Sequence, residues 1–162
     1  MSSHSMDQAP PLKLTIVSAR GLRNADWLPG AGKSDPYCVC EIAGKPKEAK
    51  IQTKVINNNL DPVWEHHAEF PAFTQGDTLV FKVYDKDPLK SNFLGELHLD
   101  SAKFYPQGFE GELPLANAGK GINAYLKLKI QVGQEEIKTQ PGKEGKKKRR
   151  KLSVKRKCKN CC

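Results

Sequence analysis

The chain has 162 residues and a formal net charge of +9, and hydrophobic residues make up 38% of its composition. This length accommodates one domain of ordinary size together with a tail. No apolar run approaches the ~20 residues that a membrane-spanning helix requires, and no secretory signal pattern opens the sequence. We therefore expect neither an integral membrane protein nor a secreted one.

The positive charge is concentrated towards the C-terminus. Residues 143–162 contain eleven of the 27 Lys and Arg residues but one of the 18 acidic residues, which gives this segment a net charge of +10. Residues 1–142 therefore carry a net charge of −1, so the basic character does not describe the partners of the folded domain. We expect a disordered leader over residues 1–10, a domain over residues 11–133 and a disordered basic tail over residues 134–162.

Eight short segments alternate between apolar and polar residues, and no sustained helical period is present. In the first segment, Leu12, Leu14 and Ile16 fall on one face. Turn residues separate the segments, and this pattern predicts an all-β fold, an eight-stranded antiparallel Greek-key β-sandwich. The predicted strands are Leu12–Ala19, Tyr37–Ile42, Lys50–Ile56, Trp64–Phe70, Thr78–Tyr84, Phe93–Leu99, Gly111–Leu115 and Ala124–Val132.

Two pairs of aspartates lie in loops between these strands. Asp26 and Asp35 bracket the loop after the first strand, Asp61 lies in the loop after the third strand, and Asp85 and Asp87 follow the fifth strand. If the strands alternate in direction, these loops emerge at one end of the sandwich. Gathered carboxylates repel one another and need a counter-charge, and Ca²⁺, which takes about 6–8 oxygen ligands, fits best. The alternative is that each aspartate only shapes its own turn.

The motifs LKLTIVSARGL, SDPYCVCEI, LDPVWEHHAEF, TLVFKVYDKD and NFLGELHL, in this order, closely resemble the C2 domain. This is the calcium-dependent lipid-binding sandwich of protein kinase C, synaptotagmins and phospholipases. The resemblance covers residues 11–132 and implies binding of anionic phospholipids, either phosphatidylserine or a phosphoinositide. Because the domain starts at LKLTIV and ends at AYLKLKIQV, the resemblance also implies the circularly permuted strand order of the family.

The resemblance implies a set of calcium ligands on two loops, the one after the first strand and the one after the fifth. Loop-one ligands come from two aspartates and a backbone carbonyl, and the aspartates after the fifth strand bridge two ions. Asn92 stands where the family carries a further carboxylate, which lowers the ligand charge, so we expect at least one calcium site and a weakened second one. We expect Asp61 to shape its turn. The implied ligand set is Asp26, Trp27, Asp35, Asp85, Asp87 and Asn92.

Apolar side chains accompany the acidic loops. Trp27 and Leu28 lie in the first loop, and Leu89 lies after the fifth strand. They either pack against the end of the domain or insert into the boundary between headgroups and acyl chains, where an amphipathic aromatic is favoured. Their position beside the calcium ligands favours insertion.

Lysines line the third predicted strand and the turn before it. Lys50 and Lys54 share the outward face of the strand, and Lys45 and Lys47 lie in the turn. The resemblance implies a cationic patch for lipid headgroups here. The alternative is a solvated strand face without a ligand.

The basic tail ends in three cysteines, Cys158, Cys161 and Cys162. Cysteines beside basic residues suit S-palmitoylation, and the terminal pair resembles the ending of Rab-type prenylated proteins. An acyl chain together with a polybasic patch makes a stable membrane anchor. Alternatively, KKKRRK and KRK form a two-part nuclear localisation signal, or the tail is unmodified. Ser153, between basic residues, is a candidate phosphorylation site that competes with the simpler role of a polar spacer.

We find no arrangement of nucleophile, base and orienting residue and no phosphate-binding loop, so we do not expect an enzyme. The favoured function is calcium-responsive binding of anionic membranes by a small, monomeric peripheral adaptor at the cytoplasmic face. The alternative is a calcium-independent interaction module, for protein or phosphoinositide, whose tail directs it to the nucleus. No nucleic acid is expected as a partner, because no aromatic residues are interleaved with the tail charges.

Overall fold

The computed structural model of the chain describes residues 11–26, 28–46 and 49–133. These residues form eight β-strands and a short 3-10 helix, Ser101–Lys103. The strands are β1 (Leu12–Arg20), β2 (Pro36–Ile42), β3 (Ile51–Gln52), β4 (Val63–Phe70), β5 (Thr78–Asp85), β6 (Asn92–Asp100), β7 (Phe109–Pro114) and β8 (Tyr125–Val132).

The strands form two four-stranded antiparallel sheets, in the orders β4-β1-β8-β7 and β3-β2-β5-β6. This confirms the predicted all-β antiparallel sandwich. The first and last strands are neighbours along their whole length, from the pair Leu12 and Val132 to the pair Arg20 and Tyr125. The permuted strand order relative to other members of the family stays a prediction.

The core lies between the sheets and follows from the alternation in the sequence. Leu12, Leu14 and Ile16 on β1 are buried, and they face the equally buried Leu79, Phe81 and Val83 on β5. Trp64 and Phe70, near the two ends of β4, are also buried. Burying such side chains contributes about 1.5–3 kcal/mol each, so this layer holds the loops in a fixed frame.

The third strand is shorter than the sequence predicted, with two residues in place of the segment Lys50–Ile56. The cause is the buried Thr53, whose hydroxyl oxygen accepts a hydrogen bond from the N–H of Cys38 at 2.9 Å. A side-chain oxygen thus replaces a backbone carbonyl in the ladder. The chain still runs beside β2, because the N–H of Ile56 donates to the carbonyl of Pro36 at 3.1 Å.

A partly buried ion pair closes the end of the sandwich away from the aspartate loops. The Lys45 ammonium lies 2.6 Å from Asp77 Oδ2 and 3.1 Å from Thr74 Oγ1. It also donates to the carbonyl of Ala72. Partial burial acts to raise the pKa of Asp77, but the hydrogen bonds from Lys45 and Thr74 outweigh it and hold this pKa below its ordinary value.

We expect Asp77→Asn to lower the free energy of unfolding by about 1.5–3 kcal/mol at neutral pH, because a charge-assisted hydrogen bond is lost. The folded pKa of Asp77 is depressed, so its stabilisation is fully present above the unfolded value of ~3.9 and disappears as the pH falls through the folded value. The variant should therefore converge on the wild type in acid. Urea unfolding at neutral and at acidic pH measures the free energy of unfolding of the wild type and of the variant. The control is Glu69→Gln, at an exposed position, which should leave the unfolding curve unchanged at either pH.

Candidate metal centre

Three loops meet at one end of the sandwich, as the strand count predicted. Loop one (residues 21–35) follows β1, loop two (residues 53–62) precedes β4, and loop three (residues 86–91) follows β5. Hydrogen bonds join them directly, since the N–H of Lys86 in loop three donates to the carbonyl of Asp35 at 2.9 Å. The acidic residues of these loops therefore share one small volume.

Three of the predicted ligands form a cluster at this end. One carboxylate oxygen from each of Asp26, Asp85 and Asp87 lies within 4.8 Å of the other two. Asp26 extends from loop one, Asp85 is the last residue of β5, and Asp87 lies two residues further on. The rigid end of β5 therefore fixes one carboxylate, and the loops add the other two.

Asp85 gives the clearest indication that the cluster binds a cation. Its side chain is fully buried, and its Oδ1 accepts a hydrogen bond from the N–H of Asp35 at 2.6 Å. Its Oδ2 is buried and has no hydrogen-bond partner. A buried charged oxygen without a partner is costly unless a cation compensates it. An all-carboxylate oxygen donor set suits a hard cation such as Ca²⁺ or Mg²⁺.

The electrostatics of the cluster also favour a bound cation. Desolvation, followed by the negative charges of Asp85, Asp87 and Asp35, raises the pKa of Asp26. Like charges at short range disfavour ionisation of one another. A bound cation would relieve this repulsion and stabilise the ionised carboxylates.

Asp35 lies next to the cluster but is not one of its three members. Its Oδ1 accepts a hydrogen bond from the N–H of Asn58 at 2.7 Å, and its own N–H donates to Asp85. Its role as a direct ligand stays a prediction. Asp61 is bonded elsewhere: its Oδ1 accepts from the N–H of Gly21 at 2.8 Å, which fits the expected part in shaping its turn.

Asn92 also adjoins the cluster, at the start of β6. Its Nδ2 donates to Asp87 Oδ2 at 2.5 Å, so in this structure its amide orients a carboxylate. Its predicted role as a ligand through its carbonyl oxygen stays a prediction. Trp27, the remaining predicted ligand, lies outside the described residues.

The apolar residues at the loop tips face solvent. The side chain of Leu28 in loop one is 60% exposed, and that of Leu89 in loop three is 100% exposed. Neither belongs to the core, and the insertion of these two leucines into a membrane stays a prediction. Each lies two residues after an aspartate of the cluster, Leu28 after Asp26 and Leu89 after Asp87.

In the structure, the lysines of the predicted patch differ in exposure and in bonding. Lys50 and Lys54 are exposed. The ammonium of Lys45 is already bonded to Asp77, and Lys47 lies outside the described residues. The free positive charge of the described patch is therefore carried by Lys50 and Lys54.

Sequence reasoning missed an aromatic row beside Lys54. The rings of Tyr37 and Tyr84 stack at 5.7 Å, and Tyr84 contacts Phe93 edge-on at 5.8 Å. The three residues lie side by side on β2, β5 and β6. Lys54 continues the row, because the N–H of Thr53 bonds the carbonyl of Cys38 and so sets Lys54 opposite Tyr37. Alternation signals the exposed face of each strand, but the register that aligns the rings is not readable from it.

The predicted tail residues Cys158, Cys161, Cys162 and Ser153 lie outside the described residues. Among the described residues, no helix is long and apolar enough to cross a membrane. Cys38 and Cys40 are buried free thiols on β2, and burial raises the pKa of both. These two thiols therefore contribute to the core and are poor nucleophiles.

Two antiparallel sheets with three carboxylates gathered at one loop end define a β-sandwich with a candidate metal centre. The family model for the C2 domain matches residues 11–115, and the chain belongs to the C2 domain family. The matched segment contains the three clustered aspartates and both exposed leucines.

Several known proteins are similar to the chain. A protein of Arabidopsis thaliana called "Calcium-dependent lipid-binding protein" is 31% identical over 134 residues, which is 82% of this chain but 22% of that protein's length. A single C2 domain of plant extended synaptotagmin 1 superposes with a TM-score of 0.67 at 22% identity, over 79% of this chain and 98% of that one. The calcium-bound tandem C2 domains of extended synaptotagmin 2 give a TM-score of 0.64 at 25% identity, over 76% and 45% of the two chains.

Proposed function

We propose that the chain is a calcium-responsive module that binds anionic phospholipid membranes and acts as a small peripheral adaptor at their cytoplasmic face. The observation that carries the proposal is the buried, unpartnered Oδ2 of Asp85 within a cluster of three carboxylates. The similar Arabidopsis protein is named for calcium-dependent lipid binding, and a similar synaptotagmin structure is calcium-bound. Both names support the same function.

Asp26, Asp85 and Asp87 would hold the ion, and Asp35, the carbonyl of Trp27 and Asn92 are the further candidate ligands. Bound calcium would supply positive charge and open coordination positions for lipid phosphate. The chain's own part is to hold the carboxylates in place and to present Leu28 and Leu89 beside them. An acidic loop end that repels the membrane thereby becomes one that tolerates anionic lipid.

Vesicle sedimentation with and without calcium tests the proposal. A chain ending at Gly133, directly after β8, should bind phosphatidylserine vesicles in calcium and stay in solution with chelator. Its binding should weaken with salt, because attraction between exposed charges is screened. Equal binding in chelator would favour the calcium-independent interaction module instead.

We further propose that Lys50 and Lys54, with Tyr37 and Tyr84, form a headgroup site. The lysines supply positive charge at the edge of the sheet, and the stacked rings provide a flat surface beside it. An ammonium is a compact phosphate-binding charge. The site lies on the side of the sandwich, so a headgroup there could be held together with lipid at the loops.

Replacing Lys50 and Lys54 with Glu should weaken calcium-dependent binding to phosphoinositide vesicles by about 10-fold or more, at ~1 kcal/mol for each basic residue near an anionic surface. Binding to phosphatidylserine vesicles should fall less. The matched control replaces Lys13 and Lys127 with Glu in the same way. These are two exposed lysines on the outer face of the other sheet. An equal loss in the control variant would show that only total charge matters.

The tail would supply a second anchor. Residues 143–162 carry a net charge of +10, and Cys158, Cys161 and Cys162 adjoin these charges. We propose that one or more of these cysteines is acylated, because one acyl chain together with a basic patch makes a stable membrane anchor. Phosphorylation of Ser153 would add about −1.5 to −2 charges and weaken, but not reverse, the attraction.

A further inference from the structure

Asn58 in loop two is bonded to loop one through both its backbone and its side chain. Its N–H donates to Asp35 Oδ1 at 2.7 Å, and its Oδ1 accepts from the N–H of Lys33 at 3.0 Å. Its backbone is left-handed, with φ of 51°, a conformation that asparagine adopts more readily than most residues. One residue therefore holds the C-terminal part of loop one from outside that loop.

These hydrogen bonds continue to the metal centre. The N–H of Asp35, whose carboxylate Asn58 holds, donates to Asp85 Oδ1 at 2.6 Å. This bond occupies one oxygen of Asp85 and leaves the buried Oδ2 free for the cluster. The position of Asn58 thus sets that of Asp35, and Asp35 orients Asp85.

A second connection runs to Asp26. The N–H of Asn59 donates to the carbonyl of Ser34 at 3.0 Å. The hydroxyl of the fully buried Ser34 accepts from the N–H of Ala25 at 2.8 Å, directly before Asp26. Loop two therefore supports both carboxylate-bearing ends of loop one.

The approach of the two loops depends on a glycine. Gly32 has a φ of 94°, and a Cβ built on it would lie 2.4 Å from Asn58 Oδ1, well inside contact distance. Any larger residue at position 32 would displace the Asn58 side chain. The close contact shows that Asn58 fits a specific site on loop one.

We propose that Asn58 is a positioning residue for the calcium site, one that holds loop one and orients Asp35 and Asp85 without contacting the ion. The inference rests on the proposed function, since it assigns a residue to that same site. Residues that orient metal ligands typically contribute about 10- to 100-fold to metal affinity. Asn58 retains its backbone bond in most variants, so we expect the lower end of this range.

Asn58→Gly is the informative variant, because glycine accepts the left-handed backbone and keeps the N–H to Asp35 while removing only the side-chain amide. Asn58→Asp keeps the acceptor for the N–H of Lys33. The matched control is Asn117→Gly: Asn117 is also left-handed, with φ of 54°, and its side chain bonds Glu96 away from the aspartates. Calcium titration of the full chain by calorimetry measures affinity, and melting in chelator measures stability.

We expect Asn58→Gly to weaken calcium binding about 10-fold, whereas Asn117→Gly stays within about threefold of the wild type. Asn58→Asp keeps the acceptor and adds a negative charge near the site, so it should bind calcium no more weakly than the wild type. A lower melting temperature in chelator should appear in both glycine variants, so it does not by itself indicate positioning. Unchanged calcium affinity in Asn58→Gly, or an equal loss in Asn58→Asp or Asn117→Gly, would overturn the proposal.

Amide hydrogen exchange of the metal-free chain separates this inference from the proposed function. In Asn58→Gly the N–H of Asp35 should exchange about 10-fold faster or more, because its bond to Asp85 opens more often. A wild-type chain that binds no calcium would reject the proposed function. The exchange rate at Asp35 would then decide alone whether Asn58 positions this residue, and an unchanged rate would reject it.

Discussion

Replacing both Asp85 and Asp87 with Asn should abolish calcium-induced thermal stabilisation and should raise the melting temperature of the metal-free protein. Both effects follow from the cluster, in which these carboxylates and Asp26 lie within 4.8 Å of one another. Without calcium they repel, and Asp85 is also fully buried with one oxygen unpartnered. Neutral amides remove the repulsion and, with it, most of the attraction for a cation.

The size of the effect follows from linkage. At a calcium concentration about 100 times its dissociation constant, the ion stabilises the folded state by about 2.7 kcal/mol, or roughly 10 °C in melting temperature for a domain of this size. The double variant should lose this shift completely. Differential scanning fluorimetry in calcium and in chelator measures both temperatures.

Asp61→Asn is the matched control for this experiment. Asp61 is an acidic residue of loop two, but its Oδ1 accepts from the N–H of Gly21, and an asparagine oxygen can do the same. The rise in melting temperature that calcium produces in Asp61→Asn should equal the rise in the wild type. A double Asp85/Asp87 variant that keeps the wild-type shift would contradict the assignment of the metal centre.

Much of the fold was predictable because the two faces of several strands differ clearly. Leu79, Phe81 and Val83 are all fully buried, as their alternation along the sequence requires. Counting strands also placed Asp26 and Asp85 at the same end, since antiparallel neighbours reverse direction. Both inferences need only the period of the pattern and no side-chain geometry.

The failures arose where one side chain changed the local hydrogen bonding. Alternation predicted a strand to Ile56, but the hydroxyl of Thr53 takes a backbone position and ends β3 at Gln52. Nor did the alternation reveal that the ammonium of Lys45, a residue of the predicted headgroup patch, bonds Asp77, thirty-two residues away in the sequence. Such a contact depends on how two turns face each other, and the period of a strand carries no information on that.

Within the candidate site, sequence reasoning identified the residue types, but not which residues are ligands and which orient the ligands. It treated Asp35 and Asp85 alike as ligands, yet the backbone N–H of Asp35 donates a hydrogen bond to the carboxylate of Asp85. It gave no role to Asn58, because an asparagine in a turn has many ordinary reasons to be there. The distinction between a ligand and the residue that orients it needs coordinates.

Replacing Leu28 and Leu89 together with Ala should weaken calcium-dependent vesicle binding by about 50-fold. The two residues are 60% and 100% exposed and lie in the loops that carry Asp26 and Asp87. Each replacement removes about three apolar carbons, worth ~0.8 kcal/mol each on full burial, so burial of half of this area amounts to about 2.4 kcal/mol for the pair. Sedimentation with phosphatidylserine vesicles at saturating calcium measures the change.

The same variant should bind calcium normally without lipid and unfold within about 0.5 kcal/mol of the wild type, because neither leucine contributes to the core. Val63→Ala is the matched control, since Val63 is 58% exposed but lies on β4 and not at a loop tip. General stickiness of apolar surface would weaken both variants alike. Insertion of the loop tips predicts a loss in the leucine variant alone, and wild-type vesicle binding by that variant would show that calcium and charge attract the membrane without insertion.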